Sequence, residues 1–133
     1  MSGPPARWLV EAGAVGAGGF LGTLLRYWLS GAVYALIPVP RLPWGTLAVN
    51  VLGCFAIGLL GGLADTRGVL TATGRLFLLI GVLGGFTTFS TFGYETLALL
   101  REQAIARAVL NVALQLALSL TAAWGGLAIS RLW

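Results

Sequence analysis

The chain has 133 residues, of which 58% are hydrophobic and 9% charged, with a formal net charge of +4. Soluble domains carry about 25% charged residues, so there is too little polar side chain here to cover a water-exposed surface. All eight basic residues are arginines scattered from Arg7 to Arg131, which excludes the basic stripe a nucleic-acid partner requires. With no His, no Lys and a single cysteine, the usual acid–base and nucleophilic groups are nearly absent, and an enzyme is not expected.

Met1 to Pro5 is expected to be a short disordered lead. Arg7-Trp8-Leu9-Val10 mimics the start of a signal peptide, but Glu11 interrupts it and the apolar run continues past Leu25, too far for a signal core. A first helix is expected over about 8–30, with Arg26 near its far end. Gly18 and Gly22 lie four apart and present a small face for close helix contact. The glycines do not make a dinucleotide loop: after Gly16 and Gly18 the third position is Leu21, and no strand precedes them.

Pro38, Pro40 and Pro43 close this region. A second helix is expected over about 44–64, roughly 20 residues without a charge and long enough to span a bilayer. Its Trp44 suits the interface. Thr46 and Asn50 share one face, Gly58 and Gly62 repeat the close-contact pattern, and Cys54 reads as a small packing residue. Asp65 to Arg75 is expected to be a polar loop. A third apolar helix over about 76–100 carries Glu95 in its last third. A fourth, over about 106–131, carries Asn111, Gln115 and Ser119 as a polar stripe on one face. These segments make one all-α transmembrane domain over 1–133.

The stretch Gly81 to Phe92 departs from its surroundings, with three glycines, four hydroxyl side chains and three phenylalanines where Leu and Val are expected. Gly and successive β-branched residues weaken a helix. Irregular backbone at membrane depth survives only when buried in protein or lining a watery cavity. The third helix is therefore expected to be broken mid-membrane over Gly81 to Thr88, with Thr88 to Phe92 lining a polar path. Topology adds a second expectation. One side of a four-span arrangement holds Arg7, Arg67, Arg75 and Arg131, and the other holds Arg41, Arg101 and Arg107, joined by Arg26 if it reaches that face. The positive-inside rule needs an excess on one side, and here there is almost none. Both orientations are then expected, and two opposed copies can pair about an axis in the membrane plane with a shared site near its middle.

The chain resembles the small fluoride channels of the Fluc or CrcB family. The resemblance is carried by Gly19-Phe20-Leu21-Gly22-Thr23-Leu24-Leu25-Arg26-Tyr27, by Gly45-Thr46-Leu47-Ala48-Val49-Asn50-Val51-Leu52-Gly53, and by Gly81 to Phe92 with its ending Thr87-Thr88-Phe89-Ser90-Thr91-Phe92. It implies an antiparallel, dual-topology homodimer with two pores in a prokaryotic inner membrane, through which cytoplasmic fluoride leaves passively. It implies that Phe89 and Phe92 are pore phenylalanines and that Asn50 faces the path. It also implies a structural sodium ion at the dimer centre, held by the backbone carbonyls of Gly84 and Thr87. Thr46 and the fourth-helix stripe would continue the path, although the family often has Tyr and Ser where this chain has Asn111 and Gln115.

The residue chemistry is compatible with that implication. A pore for a strongly hydrated anion must replace water with donors. Asn50 offers an amide, and Thr46, Thr88, Ser90, Thr91 and Ser119 offer hydroxyls. Phe89 and Phe92 lie on one helical face and can turn positive ring edges to an anion. Glu95 is read as a vestibule or structural carboxylate, and Arg26 either steers anions or anchors its helix. The competing reading is a small proton-coupled transporter of the multidrug resistance type, for which Glu11 is the candidate coupling acid. Glu11 lies four residues from Arg7, in reach of a simple ion pair. A membrane scaffold that transports nothing is a third reading, but it leaves the polar residues at membrane depth unexplained.

Overall fold

A computed structural model describes residues 4–37 and 41–133. The described residues contain no strand. They form four segments long and apolar enough to cross a membrane, Ala6–Leu36, Trp44–Arg67, Ala72–Arg101 and Ile105–Ser130. Helix α1 is Pro4–Leu36 and α2 is Trp44–Arg67. The third segment comes in two pieces. The first, α3, covers residues 72–86 and joins Ala72–Arg75, a π-helical stretch Leu76–Leu83, and Gly84–Phe86. The second, α4, is Phe89–Arg101, and the last helix, α5, is Ile105–Ser130.

Helix ends and the ends of apolar runs do not coincide. Helix α1 runs from Pro4 to Leu36, beyond the expected 8–30 at both ends. A proline is tolerated in the first helical turn, where its missing N–H would have no partner, so Pro4 and Pro5 are helical and not part of a loose lead. Met1 to Gly3 lie outside the described residues, as do Pro38 and Pro40. The helix stops just before Ile37, the residue that Pro38 disfavours in helical backbone. The expected polar loop Asp65 to Arg75 shrinks to residues 68–71. Helix α2 continues through Asp65, Thr66 and Arg67 to a left-handed cap at Gly68, with φ +60°. Helix α3 then starts under Thr71, whose hydroxyl accepts the Gly74 N–H at 3.0 Å. Arg75 reaches back to pair with Asp65. The change from apolar to polar marks where water begins, not where the helix ends.

Two glycine seams set the helix packing. Along the first, α1 lies against α3. A side chain at Gly18 would overlap the Phe77 carbonyl and the Gly81 backbone, and one at Gly22 would overlap the Val82 carbonyl. Along the second, α2 lies against α5, with Gly58 beneath the Ala123 carbonyl and Gly126 over the Phe55 carbonyl. Backbones this close gain dispersion contacts that lipid cannot supply. The closed apolar cluster is small, made of Leu42, Leu99 and Ala108 with Trp44, Ala104 and Leu114 against it. Most large apolar side chains point outward, among them Phe20, Trp28 and Trp124, as bilayer-facing helices require.

Candidate ion path around the helix break

The interruption of the third span is confined to Thr87 and Thr88. Their backbones are extended, with φ −85° and ψ 157° at Thr87 and φ −152° and ψ 120° at Thr88. Helix α3 closes on Thr87, whose N–H and Oγ1 both donate to the Leu83 carbonyl, at 3.0 and 2.9 Å. Helix α4 opens on Thr88, whose Oγ1 accepts the Thr91 N–H at 3.2 Å. Each threonine thus caps one half-helix. A threonine side chain can bond to nearby backbone as readily as it fits a helix, and two in succession favour the break.

Asn50 of α2 holds the extended backbone of the break in place. The Thr88 N–H donates to Asn50 Oδ1 at 2.9 Å, and Asn50 Nδ2 donates to the Thr88 carbonyl at 3.0 Å. In an unbroken helix that N–H would have bonded to the Gly84 carbonyl, so the break leaves Gly84 without its helical partner. Asn50 Nδ2 also donates to Gln115 Oε1 on α5 at 3.1 Å. Gly53, just under one turn on from Asn50, lets the break approach: a side chain there would overlap the Thr87 methyl group and crowd the Phe86 ring.

A cavity of about 220 Å³ opens beside this network. Asn50, Cys54, Thr87, Thr88, Phe89, Phe92, Gln115, Leu116 and Ser119 line it, and none of them carries a fixed charge. Phe89 and Phe92 meet edge to face, with ring centroids 5.4 Å apart and planes at 68°. Phe92 is 8% exposed, whereas Phe89 is 78% exposed in the single chain. Two buried polar atoms of α5 have no partner, Gln115 Nε2 and Ser119 Oγ. A buried donor without an acceptor is costly in a stable interior, and both belong to residues lining the same cavity.

Other expected site residues fall in neighbouring places. The Thr88, Ser90 and Thr91 hydroxyls form a cluster, with Thr88 Oγ1 donating to Thr91 Oγ1 at 3.0 Å and lying 3.3 Å from Ser90 Oγ. Thr46 is buried and donates to Glu95 Oε1 at 2.8 Å, while Glu95 Oε2 is buried without a partner. A second cavity, of about 550 Å³, is lined by Arg26, Thr46, Thr88 and Thr91 among others. Arg26 is therefore not beside the phenylalanines, but Thr88 borders both cavities. Glu95 borders a third, of about 240 Å³, with Tyr34, Arg41, Glu102 and Arg107.

The fourth-helix stripe divides. Asn111 does not line the phenylalanine cavity. It donates to Thr96 Oγ1 at 2.9 Å, and Thr96 in turn bonds the Phe92 carbonyl at 2.8 Å, so Asn111 fastens α5 to α4. Gln115 and Ser119 are the members that line the cavity. Glu11 pairs with Arg7 at 2.9 Å near the start of α1. Reasoning from the sequence missed Cys54 as a lining residue, although it lies one turn beyond Asn50 on the face that carries Thr46. It also missed Gly53 and Thr96, which act through the backbone of the break and of α4.

Four helices apolar enough to cross a membrane, three of whose spans line a charge-free cavity bearing amide and hydroxyl groups, define a small multi-pass membrane protein of the ion-pathway class. The family described as "CrcB-like protein, Camphor Resistance (CrcB)" matches residues 13–127. Similar proteins named "Fluoride-specific ion channel FluC" are found in Geobacter sulfurreducens, 48% identical over 89% of this chain and 94% of the relative. Others of that name occur in Solidesulfovibrio magneticus, 42% identical over 93% and 98%, and Rhizobium leguminosarum bv. trifolii, 43% identical over 92% and 98%. The chain belongs to the CrcB-like family.

Proposed function

We propose that this chain conducts fluoride passively across a prokaryotic inner membrane, letting the anion leave the cell. The observation that carries the reading is the cavity beside the break. It gathers amide and hydroxyl groups and two phenylalanine rings, and it has no arginine in its wall. A strongly hydrated anion needs donors to replace its water, and a fixed cation would hold it too tightly for rapid exit. The name shared by the relatives points to the same ion. No bond is made or broken in such passage, so the protein works as a channel and not as an enzyme.

The conducting unit in this reading is an antiparallel homodimer with the break at mid-membrane. The near-even arginine distribution supports two orientations. Two features of the single chain suit a partner copy: the Phe89 ring is largely uncovered, and Gly84 faces open space. A structural sodium ion at the dimer centre fits the Gly84 carbonyl, which loses its helical donor when the Thr88 N–H turns to Asn50. The Gly84 and Thr87 carbonyls would hold it. When bound, the ion supplies a positive charge beside the anion path.

The multidrug transporter reading is less well supported, because its candidate acid, Glu11, is paired with Arg7 near the helix start. The deciding measurement is ion efflux from liposomes holding the purified protein. Fluoride is expected to leave and chloride to stay; equal chloride flux, or no fluoride flux, overturns the reading. Phe92→Ile is expected to lower fluoride flux at least tenfold while the dimer still assembles, since an aliphatic side chain has no positive ring edge.

A further inference from the structure

Helices α1 and α3 run side by side in the same direction: Gly18 meets Phe77 and Gly81, and Gly22, one turn on, meets Val82 and Phe86. Before that seam, larger side chains take the place of glycine and hold the two backbones apart. A crevice of about 490 Å³ opens there, between the starts of the two helices. Its floor is apolar, made of Leu76, Leu79 and Ile80 of α3. Its mouth carries Arg7 and Glu11 of α1 and Arg75 of α3. It shares no lining residue with the two cavities that border the break.

The charges at the mouth come in pairs. Arg7 Nε donates to Glu11 Oε1 at 2.9 Å, and Arg75 pairs with Asp65. Two arginines against two carboxylates leave these four groups with no net charge. A guanidinium has five N–H donors and a carboxylate two oxygens, so each pair can engage a further ion. None of these side chains is buried. Trp8, beside Arg7, is exposed as well, and tryptophan favours the headgroup level of a bilayer. Along the helices the crevice therefore passes from paired ions to hydrocarbon.

We propose that one phospholipid occupies this crevice, its phosphate on Arg7 and Arg75, a primary ammonium of its headgroup on Glu11, and an acyl chain over Leu76, Leu79 and Ile80. Basic pockets between membrane helices take lipid headgroups. Here the carboxylates offset the arginines, which favours a headgroup carrying both signs over a purely anionic one. That chemistry is a phosphatidylethanolamine. The lipid fills the space beside the glycine seam and joins α1 to α3 at the end of the span opposite the break.

The test is native mass spectrometry of the delipidated full-length protein, titrated with dioleoyl phosphatidylethanolamine, phosphatidylcholine or phosphatidylglycerol. All three offer the same phosphate and chains, and only the first offers ammonium N–H groups. One phosphatidylethanolamine per chain is expected, bound about tenfold more tightly than either other lipid, the effect of one hydrogen bond between charged groups. Glu11→Gln is expected to bring its ratio to phosphatidylcholine to about one. Arg7→Gln with Arg75→Gln is expected to weaken all three lipids about tenfold or more. Leu79→Trp fills the floor without touching a charge and is expected to weaken all three as well, which keeps the test alive if the arginine variant does not assemble. Phosphatidylglycerol bound as tightly as phosphatidylethanolamine overturns the proposal, as does an unchanged lipid ratio in Glu11→Gln. Glycerophosphoethanolamine, the headgroup without chains, is not expected to displace the lipid at equal concentration; displacement overturns the acyl-chain seat. A protein that binds none of the three, its crevice covered by a second copy, overturns the proposal outright.

Discussion

The two halves of the third span are held by opposite means. From Leu76 to Phe86, α3 has no polar side chain and is seated by shape, its Gly81 and Gly85 against the backbone of α1. In α4, hydroxyls and a carboxylate recur from Ser90 to Thr96, and the helix is tied to its neighbours by named bonds, Thr46 to Glu95 and Asn111 to Thr96. The break between them is where one mode gives way to the other. Helix α3, seated by close backbone contact with α1, has no polar side chain from Leu76 to Phe86 to turn to a path. Interrupting it at Thr87–Thr88 lets α4 choose its own rotation. Hydrogen bonds between membrane helices contribute only about 1 kcal/mol each, so the contrast predicts unequal sensitivity to substitution.

The largest effect is expected on the shape-fitted half. Gly18→Val puts a branched side chain into the Phe77 carbonyl and the Gly81 backbone. Overpacking costs about 1–3 kcal/mol where side chains can yield, and here the obstacle is main chain. Loss of about 3 kcal/mol or more is expected, read as a large drop in thermal midpoint in detergent or as failure to recover folded protein. A midpoint equal to wild type would mean that the seam is not close-packed. A smaller effect is expected on the bonded half. Asn111→Leu removes one hydrogen bond, but Thr96 keeps its bond to the Phe92 carbonyl, so no buried donor is stranded. A loss of roughly 1 kcal/mol is expected, with fluoride flux within a few-fold of wild type. A collapse of flux would instead make Asn111 part of the path.

What the sequence disclosed follows the same division. Four spans were legible from apolar length alone, since no other arrangement hides so many Leu and Val residues. The weakness of Gly81 to Thr88 was legible from its composition, but its location was blurred. Gly81 reads as a hinge in one dimension, whereas in three it is a contact surface for α1 inside continuous π-helical backbone, and only the two threonines leave the helix. The stripe on α5 was legible as a face. Periodicity gives a face but not its neighbours: Asn111 meets α4, while Gln115, one turn on, meets Asn50 and the cavity. The role of Asn50 required the path of a single N–H, which no pattern of side chains encodes.

The smallest predicted effect concerns the turn that joins α4 to α5. Helix α4 ends with Gln103 in left-handed backbone, φ +56°, where α2 ends with Gly68 at φ +60°. The Gln103 N–H bonds the Leu100 carbonyl at 3.0 Å and the Ala104 N–H bonds the Leu99 carbonyl at 2.9 Å, the paired bonds of a glycine-type C-cap. Gln is strained at this φ by roughly 1–2 kcal/mol relative to glycine. Gln103→Gly removes that strain, but glycine also gives the unfolded chain more freedom, so a net gain under about 1 kcal/mol is expected. Gly68→Gln, the reverse exchange at the end of α2, is expected to lower stability by a similar amount. Gln103 lines neither of the two cavities that border the break nor the one beside Glu95, so fluoride flux in Gln103→Gly should match wild type. If flux changes with stability raised, then the position of α4 depends on the angle at which this turn delivers it to α5. The bonded half would then be set by its ends and not by Thr46 and Asn111.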